Sequence, residues 1–246
     1  MLNPAVNTSK YSEPWFSDQL ISLTGKKEWT KEDRIIWNQI QRQGDKHKFF
    51  MHAFEFISDN GITGDYHEFG CHRCRTFRMA MLESKRHFLE DMRFWAYDSF
   101  EGLPELDNEK SEFGRRWEKG QLKTDEEEFK TLIRDSGLSV ENVITKKGFY
   151  EESLPAINLN ELDSINAVLV TIDCDLYESA VPIFKYIETI IQEGTIIYID
   201  DYFTGYKGNP NKGVSLAFKE WLDGSAWSVE KYRDVGWAGR SYIAYK

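Results

Sequence analysis

Residues 166–173, Asn-Ala-Val-Leu-Val-Thr-Ile-Asp, and residues 195–200, Thr-Ile-Ile-Tyr-Ile-Asp, decide the fold of this chain. Both are nearly continuous runs of β-branched or apolar residues, which is typical of strands that are buried on both faces. We therefore predict that they form the centre of a parallel sheet. Three further strands are predicted on their N-terminal side, at 65–70, 93–98 and 143–147.

Helical segments alternate with these strands, which indicates an α/β fold with a mostly parallel sheet. Segment 177–192 has apolar residues at three- and four-residue spacing, and Gly194 is predicted to end that helix. Two closing strands near 227–233 and 240–245 have a short connection that suits antiparallel pairing, which brings the sheet to about seven strands. The other predicted helices are at 75–88, 124–136 and 213–223.

Residues 1–60 show no strand pattern and contain two amphipathic candidates, near 31–43 and 45–58. We expect them to form a helical appendage, acting as a lid or an oligomerisation surface, on a core of residues 61–246. The polar segment 101–123 is long for a connection and is predicted to be a functional flap.

Composition excludes several classes of function. The 246 residues carry 31 basic and 41 acidic side chains, a net charge of −10, and such a surface repels nucleic acid and anionic membranes. No apolar run approaches the ~18 residues of a membrane span, and the N-terminus has no signal-peptide pattern. Three cysteines are too few for a disulfide framework. We expect a cytoplasmic protein with a small-molecule partner.

Acidic residues stand where four of the predicted strands end, and ligands of open parallel sheets bind at that edge. An Asp at the end of the second strand can accept hydrogen bonds from both ribose hydroxyls, although it can equally cap the following turn. The residues concerned are Glu68, Asp98, Asp173 with Asp175, and Asp200 with Asp201.

The turn after the first strand, residues 68–76, carries only Gly70 of the three glycines expected in a dinucleotide-binding loop. A cofactor with a pyrophosphate is therefore disfavoured, whereas a sulfonium cofactor needs one glycine for close approach. The same turn holds Cys71 and Cys74, so a thiol-disulfide oxidoreductase is an alternative.

Asp173, Asp200 and Asp201 follow two neighbouring buried strands and are expected to lie close together. Like charges at that separation repel unless a cation or a proton intervenes. Magnesium, or another hard divalent cation, takes carboxylate ligands and keeps positions for substrate oxygens. One alternative is that Asp200 and Asp201 cap the next turn and Asp173 is a solvated residue at a strand end. Another is a nucleotide-binding scaffold without catalysis, whose acidic strand ends merely hold an ion.

Several stretches together resemble the TylF/MycF-type macrocin O-methyltransferase family, whose members methylate sugar hydroxyls of natural products with S-adenosylmethionine and a metal ion. Their order and separation match over about residues 60–205. The matching stretches are residues 64–70, 97–104, 147–155, 173–179 and 199–202.

The resemblance implies a Rossmann-like class I methyltransferase that transfers a methyl group to a sugar or polyol hydroxyl, or, as an alternative, to a nitrogen. A homo-oligomer is compatible with it. The implied cofactor residues are Glu68 and Gly70 in the turn, Asp98 on the ribose with Ser99 beside it, and Gly148 and Phe149 at the adenine. The implied metal ligands are Asp173, Asp200 and Asp201.

The proton acceptor is open at this level. Leu176 stands where catechol-type relatives have a lysine base. Asp175, Tyr177 and Tyr202 are candidates for accepting the proton or for positioning the sugar ring, and Asp173 is expected to be catalytic as a metal ligand. The chain also has Cys74-Arg75 where the family has a Gly-Gly pair.

Overall fold

A computed structural model describes residues 25–105, 118–157 and 165–246 of the chain. Its strands form a single sheet in the order β3-β2-β1-β4-β5-β7-β6. The strands are β1 (Asp65–Phe69), β2 (Phe94–Asp98), β3 (Val143–Lys147), β4 (Ala167–Ile172), β5 (Ile191–Ile199), β6 (Ser228–Val235) and β7 (Gly239–Tyr245). The helices are α1 (Lys31–Asp59), α2 (Arg75–Arg86), α3 (Glu126–Asp135), α4 (Tyr150–Ser153), α5 (Tyr177–Ile187) and α6 (Gly213–Gly224).

The predicted α/β class and the seven-stranded sheet are confirmed. Strands β1 to β5 pair in parallel, and β7 is antiparallel to both of its neighbours, β5 and β6. Phe69 pairs with Ile172, and Ile172 pairs with Ile199. The carboxyl ends of β1, β4 and β5 therefore lie side by side, with the acidic residues at one edge of the sheet.

Both faces of the sheet are covered by a hydrophobic core. Every residue of β4 is buried, as the apolar run predicts for a central strand. One core cluster joins residues such as Ile172 and Ile199 to Ile183 of α5. The opposite cluster joins Leu169 of β4 to Phe50 and other apolar residues of α1.

The two N-terminal helices predicted at 31–43 and 45–58 are one continuous helix, α1. Gly44, between them, weakens a helix only by roughly 0.5–1 kcal/mol relative to alanine. The apolar stripe continues past it to Phe49 and Phe50, and their burial against the sheet outweighs that cost. Thr30 caps the start of α1 through a reciprocal pair of hydrogen bonds with Asp33.

The helix predicted at 177–192 ends earlier, at Ile187, and Gly194 does not terminate it. Ile190 and Ile191, which extended the helical spacing in the sequence, instead lead into β5. Gly194 has φ +86° in an irregular part of that strand, where the pairing with β4 shifts register. That φ lies in the left-handed region that favours glycine, whereas a Cβ there would meet only the flexible end of the Ile62 side chain, at 2.6 Å.

Two predicted segments lie partly outside the described residues. These are residues 1–24 of the predicted appendage and residues 106–117 of the predicted flap. Among the helices of the described ranges, none combines the length and the apolar character that a membrane span requires.

Candidate active site

A cleft opens at the carboxyl ends of β1, β2 and β4. This is where ligands bind in open parallel sheets. Of the residues implied by the family resemblance, it brings together Gly70, Asp98, Ser99, Gly148, Phe149 and Asp173, and Asp175 also lines it.

Gly70 fixes the close approach of two strands at the floor of this cleft. Its φ is +88°, and a Cβ atom there would lie 1.9 Å from the carbonyl oxygen of Asp173. No side chain fits at that distance, so the single glycine of the turn is required for packing β1 against β4.

Asp98 organises the turn after β1 through three backbone hydrogen bonds. Its Oδ2 accepts from the N–H groups of Cys71 at 2.8 Å and His72 at 3.2 Å, and its Oδ1 accepts from Phe100 at 2.7 Å. A carboxylate has about four acceptor positions, so capacity remains for a ligand hydroxyl. Both predicted roles of Asp98, as a turn cap and as a ribose acceptor, are thus sterically compatible. Ser99 beside it donates to the carbonyl of Gly102 at 2.7 Å.

Gly148 and Phe149 form the wall of the cleft at the end of β3. The Gly148 N–H donates to the carbonyl of Asp98 at 3.0 Å, which ties this wall to β2. Gly148 has φ +137°, and a Cβ there would lie 3.0 Å from that of Ser153.

Glu68 lies beneath the turn, fully buried, rather than among the residues that line the cleft. Its carboxyl group accepts hydrogen bonds from the hydroxyl of Tyr66 and, at 2.8 Å, from that of Thr76. Burial raises the pKa of Glu68 to about 8 in spite of these bonds. The geometry supports a role in fixing the turn.

Asp173, Asp200 and Asp201 converge as the sequence predicts. One carboxylate oxygen from each lies within 4.8 Å of the other two. Burial raises the pKa of Asp201 well above its usual range, and repulsion from Asp175 and Asp173 raises it further. The donor set, three oxygens from carboxylates, is the one that Mg²⁺ prefers, so the residues present fit such an ion.

Two cations from α1 reach the same cluster, and sequence reasoning missed both. The ammonium of Lys46 lies 2.8 Å from Oδ2 of Asp200 and 3.3 Å from Oδ2 of Asp173. The guanidinium of Arg42 lies 2.8 Å from the same Asp200 oxygen. The available signal was a lysine on the buried face of an amphipathic helix, between Gln43 and Phe50.

These contacts give the aspartates of the cluster pKa values that are shifted in opposite directions. Burial alone would raise the pKa of Asp200, but Lys46 and Arg42 outweigh it and hold that pKa below its usual range. Burial and the charge of Asp200 leave the pKa of Asp173 raised. Burial, followed by repulsion from Asp173, raises the pKa of Asp175 to about 7. The raised pKa values show that protons offset part of the carboxylate charge when no metal is bound, and a divalent cation at the cluster would displace those protons.

The two tyrosine candidates lie elsewhere. Tyr202 is buried in an aromatic cluster, where its ring centroid is 4.9 Å from the guanidinium carbon of Arg240 and its hydroxyl bonds to that of Tyr242. Tyr177 donates to Glu220 at 2.6 Å on the exposed side of α5 and α6. The structure therefore brings Asp173 and Asp175 to the cleft, and neither tyrosine.

Cys71 and Cys74 are both free and buried. Burial raises the pKa of both thiols above the usual range, and Glu68 raises them further. Because the thiolate is the reactive form, this environment opposes disulfide exchange. Cys74 has φ +51°, a left-handed conformation that glycine adopts most readily, so the turn keeps its shape without the family's Gly-Gly pair.

Comparison with known proteins bears on the chemistry of this cleft. The model of the macrocin-O-methyltransferase (TylF) family matches residues 43–211. Two Streptomyces enzymes are similar in sequence. One, from Streptomyces olivaceus, is named 8-demethyl-8-(2,3-dimethoxy-alpha-L-rhamnosyl)-tetracenomycin-C 4'-O-methyltransferase and is 27% identical over 158 residues, 62% of this chain. The other, demethyldecarbamoylnovobiocin O-methyltransferase from Streptomyces niveus, is 26% identical over 154 residues, 60% of this chain.

The matched regions span 58% and 56% of the lengths of these two relatives. The fold is also similar to the solved structure of the O-methyltransferase NovP, with a TM-score of 0.68 and 21% identity. That similarity covers 81% of this chain and 79% of NovP.

Proposed function

Because this chain belongs to the macrocin-O-methyltransferase (TylF) family, we propose that it transfers a methyl group from S-adenosylmethionine to a hydroxyl of a sugar-containing small molecule. The observation that carries the proposal is the joining of a one-glycine cofactor cleft to a cluster of three aspartates at one sheet edge. The names of the two Streptomyces relatives, one of which refers to a rhamnosyl group, suggest a glycosylated natural product as acceptor.

The cofactor is proposed to lie across the ends of β1, β2 and β3. Gly70 leaves room for its close approach, Asp98 accepts from its ribose, and Ser99 lies beside that carboxylate. Gly148 and Phe149 form the wall for its adenine. S-adenosylmethionine would supply an activated methyl group on a sulfonium centre.

Asp173, Asp200 and Asp201 are the residues proposed to hold Mg²⁺ or another divalent cation. Such an ion would act as a Lewis acid that makes the acceptor hydroxyl easier to deprotonate. Lys46 and Arg42 offset part of the acidic charge and fix the carboxylate of Asp200.

Asp175 is proposed as the proton acceptor. It lines the cleft beside Asp173, and its pKa of about 7 suits a general base at neutral pH. The segment from Asp173 to Asp175 connects β4 to α5, and the burial of these two elements holds it in position for in-line transfer. Because all three cysteines are free, a reducing compartment such as the cytoplasm belongs to the same proposal.

The proposal is tested by titrating S-adenosylmethionine calorimetrically with and without Mg²⁺, and by methyl transfer to para-nitrophenyl α-L-rhamnoside followed by mass spectrometry. We expect cofactor binding, a methyl ether as product, and reversible loss of turnover in chelator. Fragmentation of the product distinguishes oxygen from nitrogen methylation. Absence of S-adenosylmethionine binding would contradict the proposal. Full turnover in chelator would contradict only the proposed role of the metal ion.

The matched control is the double variant Cys71→Ser and Cys74→Ser. This variant should retain the methyltransferase activity of the parent if the two cysteines have only a packing role in the turn. Light scattering of the parent tests the expected homo-oligomer.

A further inference from the structure

A second and larger cleft, of about 490 Å³, lies between α1 and the connection from β6 to β7. The connection approaches α1 closely at Gly236, where an added Cβ would lie 3.2 Å from Oδ2 of Asp45. Gly236 has φ +58°, which makes the tight turn possible. The lining of this cleft includes Trp37, Arg42, Lys46, Asp200 and Trp237.

This cleft meets the cofactor cleft at the aspartate cluster. Asp173 lines the first cleft and Asp200 lines the second, and Lys46 contacts both carboxylates. The Phe203 N–H donates to the carbonyl of Ala238 at 2.8 Å, which fixes the β6–β7 connection relative to the end of β5. A molecule in the second cleft can therefore approach the cluster at Asp200, whereas the cofactor cleft reaches it at Asp173.

The size of the second cleft indicates the size of its ligand. A volume of about 490 Å³ lies within the ~300–1,000 Å³ of pockets that enclose drug-sized molecules, so this cleft has room for more than a single sugar ring. Its inner end carries charged groups, Arg42, Lys46 and Asp200, which suit hydroxyl groups. Trp37 and Trp237 provide large apolar faces in the same cleft.

Trp237 is the feature that points to an extended ligand. Its side chain lies in the turn between β6 and β7 and is 68% exposed, an unusual environment for the largest apolar residue. An indole that lines a cleft and is not buried by the fold offers a flat, rigid surface for an aromatic or apolar ring.

We propose that this cleft binds the acceptor, with the sugar at the Asp200 end and the flat group that carries the sugar packed against Trp237. The inference rests on the proposed function and adds a recognition element for the group attached to the sugar. Trp237 is a specificity-determining residue in this assignment and takes no part in methyl transfer itself.

The test compares para-nitrophenyl α-L-rhamnoside with free L-rhamnose, for the parent and for Trp237→Ala. We expect the parent to prefer the aryl glycoside, and the variant to raise the KM for that glycoside about three- to tenfold, the range expected for one aromatic contact. The KM for L-rhamnose, the kcat and the affinity for S-adenosylmethionine should stay unchanged. Trp237→Phe should restore most of the preference, because it keeps an aromatic face.

A binding measurement separates this inference from the proposed function. Ligand-detected NMR of the aryl glycoside, without cofactor, should show weaker binding to Trp237→Ala and no change for Phe88→Ala, a still more exposed aromatic residue at the end of α2. Unchanged binding and KM in a folded Trp237→Ala protein would overturn the inference while methyl transfer stands. If the parent is a dimer in light scattering and Trp237→Ala is a monomer, the inference is also overturned, because Trp237 would then contact a second copy of the chain. Binding without any turnover would contradict only the proposed function.

Discussion

At the scale of single residues, the acidic strand ends differ because their neighbours differ. Asp98 is surrounded by backbone N–H groups, Asp200 by the cations Lys46 and Arg42, and Asp201 by other carboxylates. The same residue type therefore serves as a turn organiser, as one partner of a buried ion pair and as a repelled carboxylate. Substitution should separate these roles.

Asp98 should show a loss of cofactor affinity that is separable from a loss of stability. Asp98→Asn keeps one acceptor oxygen, so it should weaken S-adenosylmethionine binding about tenfold or more while it keeps the fold, because bonds to a charged group contribute roughly 1.5–3 kcal/mol. Asp98→Ala should also destabilise the protein by about 1–3 kcal/mol, since three backbone donors lose their acceptor.

Calorimetric titration and thermal melting measure the two effects of Asp98. Asp91→Ala, at an exposed position near β2, is the matched control. Equal cofactor affinity in the parent and in both Asp98 variants would remove Asp98 from the binding site.

Asp200 and Asp201 should respond in opposite directions when metal is absent. In chelator, Asp201→Asn should raise the melting temperature, because it replaces a carboxyl group whose ionisation is opposed by burial and by repulsion from Asp175 and Asp173. Asp200→Asn should destabilise by about 3 kcal/mol, the lower end for a broken buried ion pair, because Arg42 loses its carboxylate partner while Lys46 keeps its 3.3 Å contact with Asp173.

Added Mg²⁺ should raise the melting temperature of the parent through preferential binding to the folded state, and should do so much less in both variants. Activity should fall by orders of magnitude in each. If the melting temperature of the parent does not change with added Mg²⁺ and activity is complete in chelator, the metal assignment is contradicted.

At the scale of elements, α1 joins the core to the candidate active site. Its apolar residues, such as Phe50 and Phe54, pack on the sheet, while Lys46 and Arg42 reach the aspartates. Burial of the apolar stripe therefore positions two charges at the cluster. The helix that resembled a separate appendage in the sequence contributes directly to the electrostatics of the site.

Lys46→Met should lower stability in chelator by about 1–3 kcal/mol, because Asp173 and Asp200 lose a shared counter-charge. The same variant should bind Mg²⁺ more tightly, since the ammonium no longer competes for those oxygens. Mg²⁺ titrations followed by melting temperature measure both effects. The control is Lys48→Met, on the exposed side of α1, which should change neither the stability nor the affinity for Mg²⁺. If Lys46→Met has the same stability and Mg²⁺ affinity as Lys48→Met, the ion pairs of Lys46 contribute nothing.

The expectation that the N-terminal region closes over the site stays a prediction. Hydrogen exchange should show slower exchange of the α1 amides when cofactor and acceptor are both bound, because a closed site excludes water from methyl transfer. The amides of α3, which lies toward the opposite edge of the sheet, serve as the internal reference. Unchanged exchange in α1 would leave it as a fixed part of the core.

At the scale of the whole molecule, the aspartate cluster should make stability depend on pH. The pKa of Asp175 is raised in the folded state to about 7 from its usual value near 4, so the folded protein binds a proton more tightly than the unfolded chain. Its contribution to stability is present at low pH and is lost as pH rises toward 7. Asp175→Asn should therefore become increasingly more stable than the parent between about pH 4 and pH 7.

Melting temperatures in chelator across that pH range test this sign. The difference between the two proteins removes the opposing effect of buried His67, whose pKa is lowered to about 3 by burial. Saturating Mg²⁺ should reduce the pH dependence of the parent, because it stabilises the ionised carboxylates. A constant difference between the two proteins would contradict the raised pKa.

Much of the architecture was predictable because strand burial leaves a local pattern. The runs at 166–173 and 195–200 identified β4 and β5, and a parallel sheet brings the ends of neighbouring strands to one edge. The convergence of Asp173, Asp200 and Asp201 followed from that rule alone. The boundaries that failed, at Gly44 and Gly194, are positions where tertiary packing outweighed the local preference of glycine.

The sequence by itself determined the fold class, the acidic edge and the single-glycine turn, since each depends on residues close together in the chain. Only the tertiary structure decided that Lys46 meets Asp173 and Asp200, which are 127 and 154 residues away. It also decided that Tyr202 packs among aromatic rings and that Trp237 lines a second cleft. Such contacts arise because elements that are distant in the chain pack together to bury apolar surface. The polar residues that this packing brings together show no periodic pattern in the sequence, so the sequence does not reveal the contact.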